Sequence, residues 1–113
     1  MRRGEVWLAN LEPTIGAEIS KTRPVVIVSR DRIGRLPLKV IVPITDWKEQ
    51  YAYRRWMIQL EATSENGLSK LSGADTFQVR SVSQQRLIRK LGTLSDTVMQ
   101  EITEALALVL NID

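Results

Sequence analysis

Hydrophobic and polar positions alternate through Glu5-Val6-Trp7-Leu8-Ala9-Asn10-Leu11, the period-two pattern of a strand with one covered face. Glu12-Pro13-Thr14-Ile15-Gly16 breaks the pattern, because proline lacks an N–H and glycine permits positive φ, and a loop is predicted to about Thr22. Pro24 to Ser29 is a continuous β-branched run, which predicts a buried central strand opening on its proline. Leu38 to Ile44 reads as a third strand. A long connection from Thr45 to about Arg55 leads to a fourth, Trp56 to Leu60. Ser64-Glu65-Asn66-Gly67 is a turn signal. Gly73 to Val82 predicts one or two short strands, Ser83 to Leu87 a single helical turn, and Ile88 to Leu91 another short strand.

From Ser95 the period changes. Val98, Ile102, Ala105, Leu106 and Val109 recur at helical spacing, Ser95 suits an N-cap, and Asp96 suits the positive end of the helix dipole. Short strands followed by one amphipathic helix predict a mainly β fold with a C-terminal helix, a small curled sheet or barrel in one domain over residues 1–113. No repeat or low-complexity tract divides the chain, and no apolar run is long enough to span a bilayer. The opening Met1-Arg2-Arg3-Gly4-Glu5 lacks the apolar stretch of a signal peptide, so a cytoplasmic location is expected.

Composition narrows the chemistry. There is no cysteine and no histidine, which removes thiol nucleophiles, cysteine-ligated zinc, the usual near-neutral acid–base group and the commonest metal ligand. No tight acidic cluster suggests a carboxylate-only magnesium site, so neither metal nor cofactor is expected. Chemistry must rest on Arg, Lys, Tyr, Ser/Thr or carboxylates. The net charge of +3 is unevenly spread: residues 1–55 carry 11 Lys/Arg against 6 Asp/Glu, and residues 56–113 carry 5 against 7. A basic first half suits an anionic partner, of which nucleic acid is the commonest.

Several blocks carry a resemblance. Arg3-Gly4-Glu5-Val6-Trp7-Leu8, Leu11-Glu12-Pro13-Thr14, Gly16-Ala17-Glu18, Thr22-Arg23-Pro24-Val25-Val26-Ile27-Val28, Val42-Pro43-Ile44-Thr45 and Gln78-Val79-Arg80-Ser81-Val82 resemble, in order, the MazF/PemK toxin family. The C-terminal helix fits in place and length. The resemblance implies an SH3-like β-barrel of the MazF/PemK/CcdB type and a homodimer with single-stranded RNA in a groove across its interface. It implies metal-independent cleavage by 2′-OH attack, leaving a cyclic phosphate and a 5′-OH. It also implies a cognate antitoxin whose disordered tail fills the groove, with DNA binding as a joint property of the two.

On that resemblance Arg23 matches the family's catalytic arginine and Thr45 its catalytic threonine. Guanidinium donors fit phosphate oxygens bidentately but give up protons poorly, so transition-state stabilisation is the expected role of Arg23. Glu18, in the loop between the first two strands, is a candidate base or a partner holding Arg23; Ser20 and Lys21 on that loop are candidate phosphate contacts. Trp47, Tyr51, Tyr53, Arg54 and Arg55 interleave rings and cations, as single-stranded RNA binding requires. The sequence departs from the family at Phe77, where some members have an acid before the glutamine equivalent to Gln78; Asp75 stands where their arginine would be. Residues 75 and 77 are expected on one side of a strand, so Asp75 would offer a nearby carboxylate and Phe77 a stacking ring. Arg30, Arg32 and Arg35 read as a solvated basic face. Two other functions fit an SH3-like barrel: a non-catalytic gyrase poison, and an RNA-binding regulator that does not cut.

Overall fold

A computed structural model describes residues 1–112. Seven strands form one antiparallel sheet: β1 (Glu5–Asn10), β2 (Thr22–Ile27), β3 (Leu38–Asp46), β4 (Met57–Leu60), β5 (Ser72–Asp75), β6 (Arg80–Ser83) and β7 (Leu87–Thr93), followed by helix α1 (Asp96–Leu110). The order across the sheet is β4-β5-β3-β2-β1-β7, and β6 lies on β3. Strand β3 is divided between partners on one edge. Its first half pairs with β6, from Leu38 opposite Ser83 to Ile41 opposite Arg80, and its last residues pair with β5, from Ile44 opposite Ala74 to Asp46 opposite Ser72.

The expected barrel is only loosely realised, because the sheet does not close: β4 and β7 stand at the two ends of the strand order. The turn after β4 fills the seam instead. Thr93 N–H donates to the Glu65 carbonyl at 2.8 Å, and the glycines Gly67 and Gly92 let the turn and β7 touch backbone to backbone.

The curled sheet buries residues on both faces. On one, Val6, Val26, Val42, Ile44 and Ala74 pack with Met99 and Ile102 of α1. On the other, Ala9, Leu11, Val25, Ile27, Ile41 and Val82 form a second cluster. That two-sided burial is why β2 reads as a continuous apolar run. The helix begins where expected, with the Ser95 hydroxyl accepting from Val98 N–H at 3.2 Å, and ends on Asn111 in the left-handed region, φ 58°. Its buried stripe is Met99, Ile102 and Ala105, while Val98, Leu106 and Val109 are partly covered, so the burial phase is centred one position from the expected start. No helix of the described residues is long and apolar enough to cross a membrane.

Three boundaries move in ways that matter for the site. Strand β2 begins at Thr22, placing Pro24 third rather than first. This is tolerated because the ladder to β3 starts only at Val25, so nothing on that side requires the missing N–H. Strand β3 runs on through Thr45, which pairs with Gly73, instead of ending before it. Asp75 and Phe77 do not share a strand: β5 ends at Asp75, and Thr76–Gln78 form a 3₁₀ turn capped by the Asp75 carboxylate, which accepts from Phe77 N–H at 3.1 Å.

Candidate active site

Strand β2 delivers Arg23 and strand β3 delivers Thr45. Val25 is opposite Pro43, so two residues further along each strand Arg23 comes level with Thr45. Residues at paired positions project from the same face, and that is the face of Val25 and Ile41. Both Arg23 and Thr45 are partly buried, and both line a cavity of about 340 Å³ whose wall includes Leu8, Lys70, Arg89 and Leu91. Lys70 pairs with Asp46 at 3.1 Å. Among the described residues no carboxylate lies within ion-pair distance of Arg23 or Arg89. Leu8 shares its face of β1 with Val6, and Leu91 packs against the cluster that contains Val6, so this hollow lies mainly on the face opposite the one from which Arg23 and Thr45 project.

A neighbouring cavity of about 520 Å³ is lined by Glu18, Ile19, Pro43, Phe77, Gln78 and Arg80 among others. Pro43 and Thr45 alternate along one strand and share a face, so Thr45 projects from the side of β3 that borders this second hollow. Glu18 is on the wall of the second hollow and does not touch Arg23. One of its oxygens accepts from Ile15 N–H at 2.8 Å, closing the tip of its own loop. The link to Arg23 runs through Ser20, whose carbonyl accepts from Arg23 Nε at 3.4 Å. Lys21 is exposed and adopts φ 67°. Its N–H donates to the Glu12 carboxylate at 2.8 Å and its carbonyl accepts from Leu11 N–H at 3.0 Å, so the neck of the loop is fixed.

The aromatic and cationic residues after β3 are interlocked. Tyr51 meets Trp47 edge-on at 5.7 Å, and the Arg54 guanidinium lies 5.1 Å from the Tyr51 ring centre. Tyr53 is 91% exposed and lines a third hollow with Trp47 and Met57; Arg55 is exposed. Trp56 lies outside β4 and packs edge-on against Phe77, itself mostly exposed, at 5.7 Å. Asp75 is not an open carboxylate. It is 8% exposed, and burial raises its pKa against the opposing pull of the Phe77 N–H, the Gln78 amide and the Arg54 charge. Gln78 faces the β1–β2 loop.

Lys70, Arg80 and Arg89 were not singled out from the sequence. Lys70 follows an irregular segment, and Arg89 reaches the cavity only through the β1–β7 register, in which it stands opposite Leu8. The missing signal is pairing between distant segments, which local periodicity does not carry. Arg32, with Arg2 and Lys39, lines a separate hollow near the start of β3.

Residues 2–110 match the family described as PemK-like, MazF-like toxin of type II toxin-antitoxin system. The chain is similar to endoribonuclease MazF9 of Mycobacterium tuberculosis, 34% identical over 119 aligned positions that cover 99% of this chain and 98% of that one. It is similar to endoribonuclease EndoA of Bacillus subtilis, 30% identical over 110 positions that cover 97% and 94%. In fold it resembles MazF from Deinococcus radiodurans, with a TM-score of 0.81 at 21% identity over 98% of this chain and 96% of that one. It also resembles an endoribonuclease in complex with its cognate antitoxin from a mycobacterial species, with a TM-score of 0.76 at 20% identity over 100% and 97%.

Proposed function

The chain belongs to the PemK-like, MazF-like family of toxins of type II toxin–antitoxin systems, and from that premise we propose that it is a metal-independent endoribonuclease cutting single-stranded RNA by attack of a ribose 2′-OH on the adjacent phosphorus. The observation that carries this reading is Arg23 level with Thr45 on one face of β2 and β3, the face on which Pro43 lines the hollow of Glu18 and Gln78.

In the reaction a bond forms between the 2′-oxygen and phosphorus while the bond from phosphorus to the 5′-oxygen breaks. The products are a 2′,3′-cyclic phosphate and a 5′-OH. Negative charge grows on the non-bridging oxygens, where the Arg23 guanidinium offers paired donors from a rigid strand. The Thr45 hydroxyl donates to a phosphate oxygen or orients the 2′-OH. Glu18 is assigned the acceptor of the 2′-OH proton, the departing 5′-oxygen takes up a proton from water to leave as the 5′-OH, and Ser20 and Lys21 meet the flanking phosphate. Trp47, Tyr51, Tyr53, Arg54, Arg55 and Phe77 hold neighbouring nucleotides by stacking and charge, with Asp75 and Gln78 shaping the floor beneath them. The protein acts in the cytoplasm as a homodimer and is held inactive by a cognate antitoxin.

The test is incubation of the purified, antitoxin-free protein with a long single-stranded RNA in EDTA, beside Arg23→Ala, followed by mapping of new 5′ ends. Discrete cuts bearing 5′-OH groups, absent from the variant, support the reading. Absence of cutting on several RNAs by folded protein overturns it in favour of a binding module, with gyrase the next target to assay.

A further inference from the structure

The loop between β1 and β2 carries Glu18, Ser20 and Lys21 but no strand partner of its own, since β1 ends at Asn10 and β2 begins at Thr22. A side chain takes the place of that partner. Gln78 Oε1 accepts from Ile19 N–H at 2.6 Å, and Gln78 Nε2 donates to the Ala17 carbonyl at 3.3 Å. Those are the backbone groups immediately before and after Glu18, so one amide grips the chain on both sides of that residue. The same Nε2 donates to Asp75 Oδ2 at 3.3 Å. An ionised carboxylate only accepts, which orients the amide nitrogen toward Asp75 and leaves the oxygen for Ile19. Asp75 is fixed in turn by the Phe77 N–H on its other oxygen. At the far side of the loop the Ser20 carbonyl holds Arg23 Nε.

The loop contributes little to the core. Ala17 and Glu18 are exposed and only Ile19 packs against buried residues. Two side-chain hydrogen bonds across 59 and 61 residues of sequence are therefore more than the fold needs to keep its sheet. We propose that Gln78, oriented by Asp75, is a positioning residue that sets where the Glu18 carboxylate stands relative to Arg23. The role given to Glu18 rests on the RNA-cleaving reading above; the grip itself does not.

Two readouts separate the two. Hydrogen exchange at the Ile19 amide reports the grip whether or not the protein cuts RNA. Gln78→Met keeps the shape and removes the polar atoms; Ile19 exchange is expected to speed up by about tenfold or more while the sheet amides stay protected. Cleavage should lose about tenfold to a hundredfold in kcat with KM nearly unchanged. Adding Glu18→Gln to Gln78→Met should cost little more than Glu18→Gln alone. Gln78→Glu alone sets two carboxylates face to face and should also fail. Adding Asp75→Asn restores a donor between positions 75 and 78 and an acceptor for Ile19, so that pair should recover both Ile19 protection and part of kcat. Unchanged Ile19 exchange in Gln78→Met, multiplying effects with Glu18→Gln, or no recovery in the double exchange would overturn the proposal. If the wild-type protein cuts no RNA, the cleavage reading falls and the exchange data alone decide the grip.

Discussion

Arg23 comes level with Thr45 two positions beyond Val25 and Pro43, where the ladder between β2 and β3 ends. The strands have no mutual ladder there, and both side chains are partly buried on one face. Arg23→Lys keeps the charge but replaces a planar fork with a point donor, and kcat should fall about 10²- to 10³-fold. Thr45→Ser, which keeps the hydroxyl, should retain far more activity than Thr45→Val. Single-turnover cleavage of a defined RNA checks both, and equal activity of Thr45→Val and wild type would remove Thr45 from the site.

Glu18 accepts the Ile15 N–H, an interaction that glutamine can also make. Glu18→Gln should therefore leave the loop folded while lowering kcat by about 10²-fold or more. Single-turnover cleavage by Glu18→Gln at the wild-type rate would show that another group takes the proton.

Tyr53 offers a free ring, whereas the Tyr51 ring already carries Arg54 and Trp47. Tyr53→Ala should raise KM for RNA by about tenfold, the worth of one stacked base, with the melting temperature unchanged. Tyr51→Ala should weaken binding and lower stability together. Titration by fluorescence anisotropy with Arg23→Ala as the uncut host measures the first effect without turnover.

Gly67 has φ 69°, and a side chain there would overlap the Leu91 carbonyl; one on Gly92 would overlap the backbone of Glu65 and Asn66. Backbone rather than flexible side chain is in the way, so Gly67→Ala should cost about 3 kcal/mol and Gly92→Ala a comparable amount. Urea unfolding of each variant tests this; a loss below about 0.5 kcal/mol would mean the turn and β7 separate easily.

Burial acts to raise the Glu5 pKa, but the Trp7 indole N–H and Arg2 N–H, each at 3.0 Å, and Lys90 at 3.3 Å outweigh it and hold the carboxyl at about 2, below its ordinary 4.5. A depressed carboxylate stabilises the fold above its unfolded pKa, and that contribution is lost as pH falls from about 4.5 toward 2. After allowance for solvent screening the effect is about 1 kcal/mol. Glu5→Gln should be less stable at pH 7 and should lose less than wild type between those limits, as followed by denaturant midpoints.

The strands with β-branched runs were legible because burial on both faces leaves a continuous apolar signal, and the helix because Ser95 and Asp96 mark its start. Arg23 and Thr45 were legible through the blocks that contain them. The end of β3 was not: Thr45 stays in the sheet because Gly73 and Ser72 arrive from a segment far along the chain to pair with it and Asp46. The turn at Thr76 hid in a run that alternates like a strand, because its cap, Asp75, is also a residue a buried strand end can hold when its carboxylate is hydrogen-bonded. The bracing of the β1–β2 loop was invisible for the same reason of distance. Arg80 reaches the Leu11 carbonyl at 3.5 Å, and Arg86 reaches those of Asn10 and Glu12.

The unclosed seam between β4 and β7 gives assembly a direction in time. The strands bearing Arg23 and Thr45 are synthesised before β7, which supplies Arg89 and Leu91 to the hollow and the Thr93 N–H that the turn in the seam accepts at the Glu65 carbonyl. A growing chain that has not yet released β7 carries both central side chains without the enclosure around them. A protein directed against RNA thus completes its hollow only once β7 has joined the sheet beside β1.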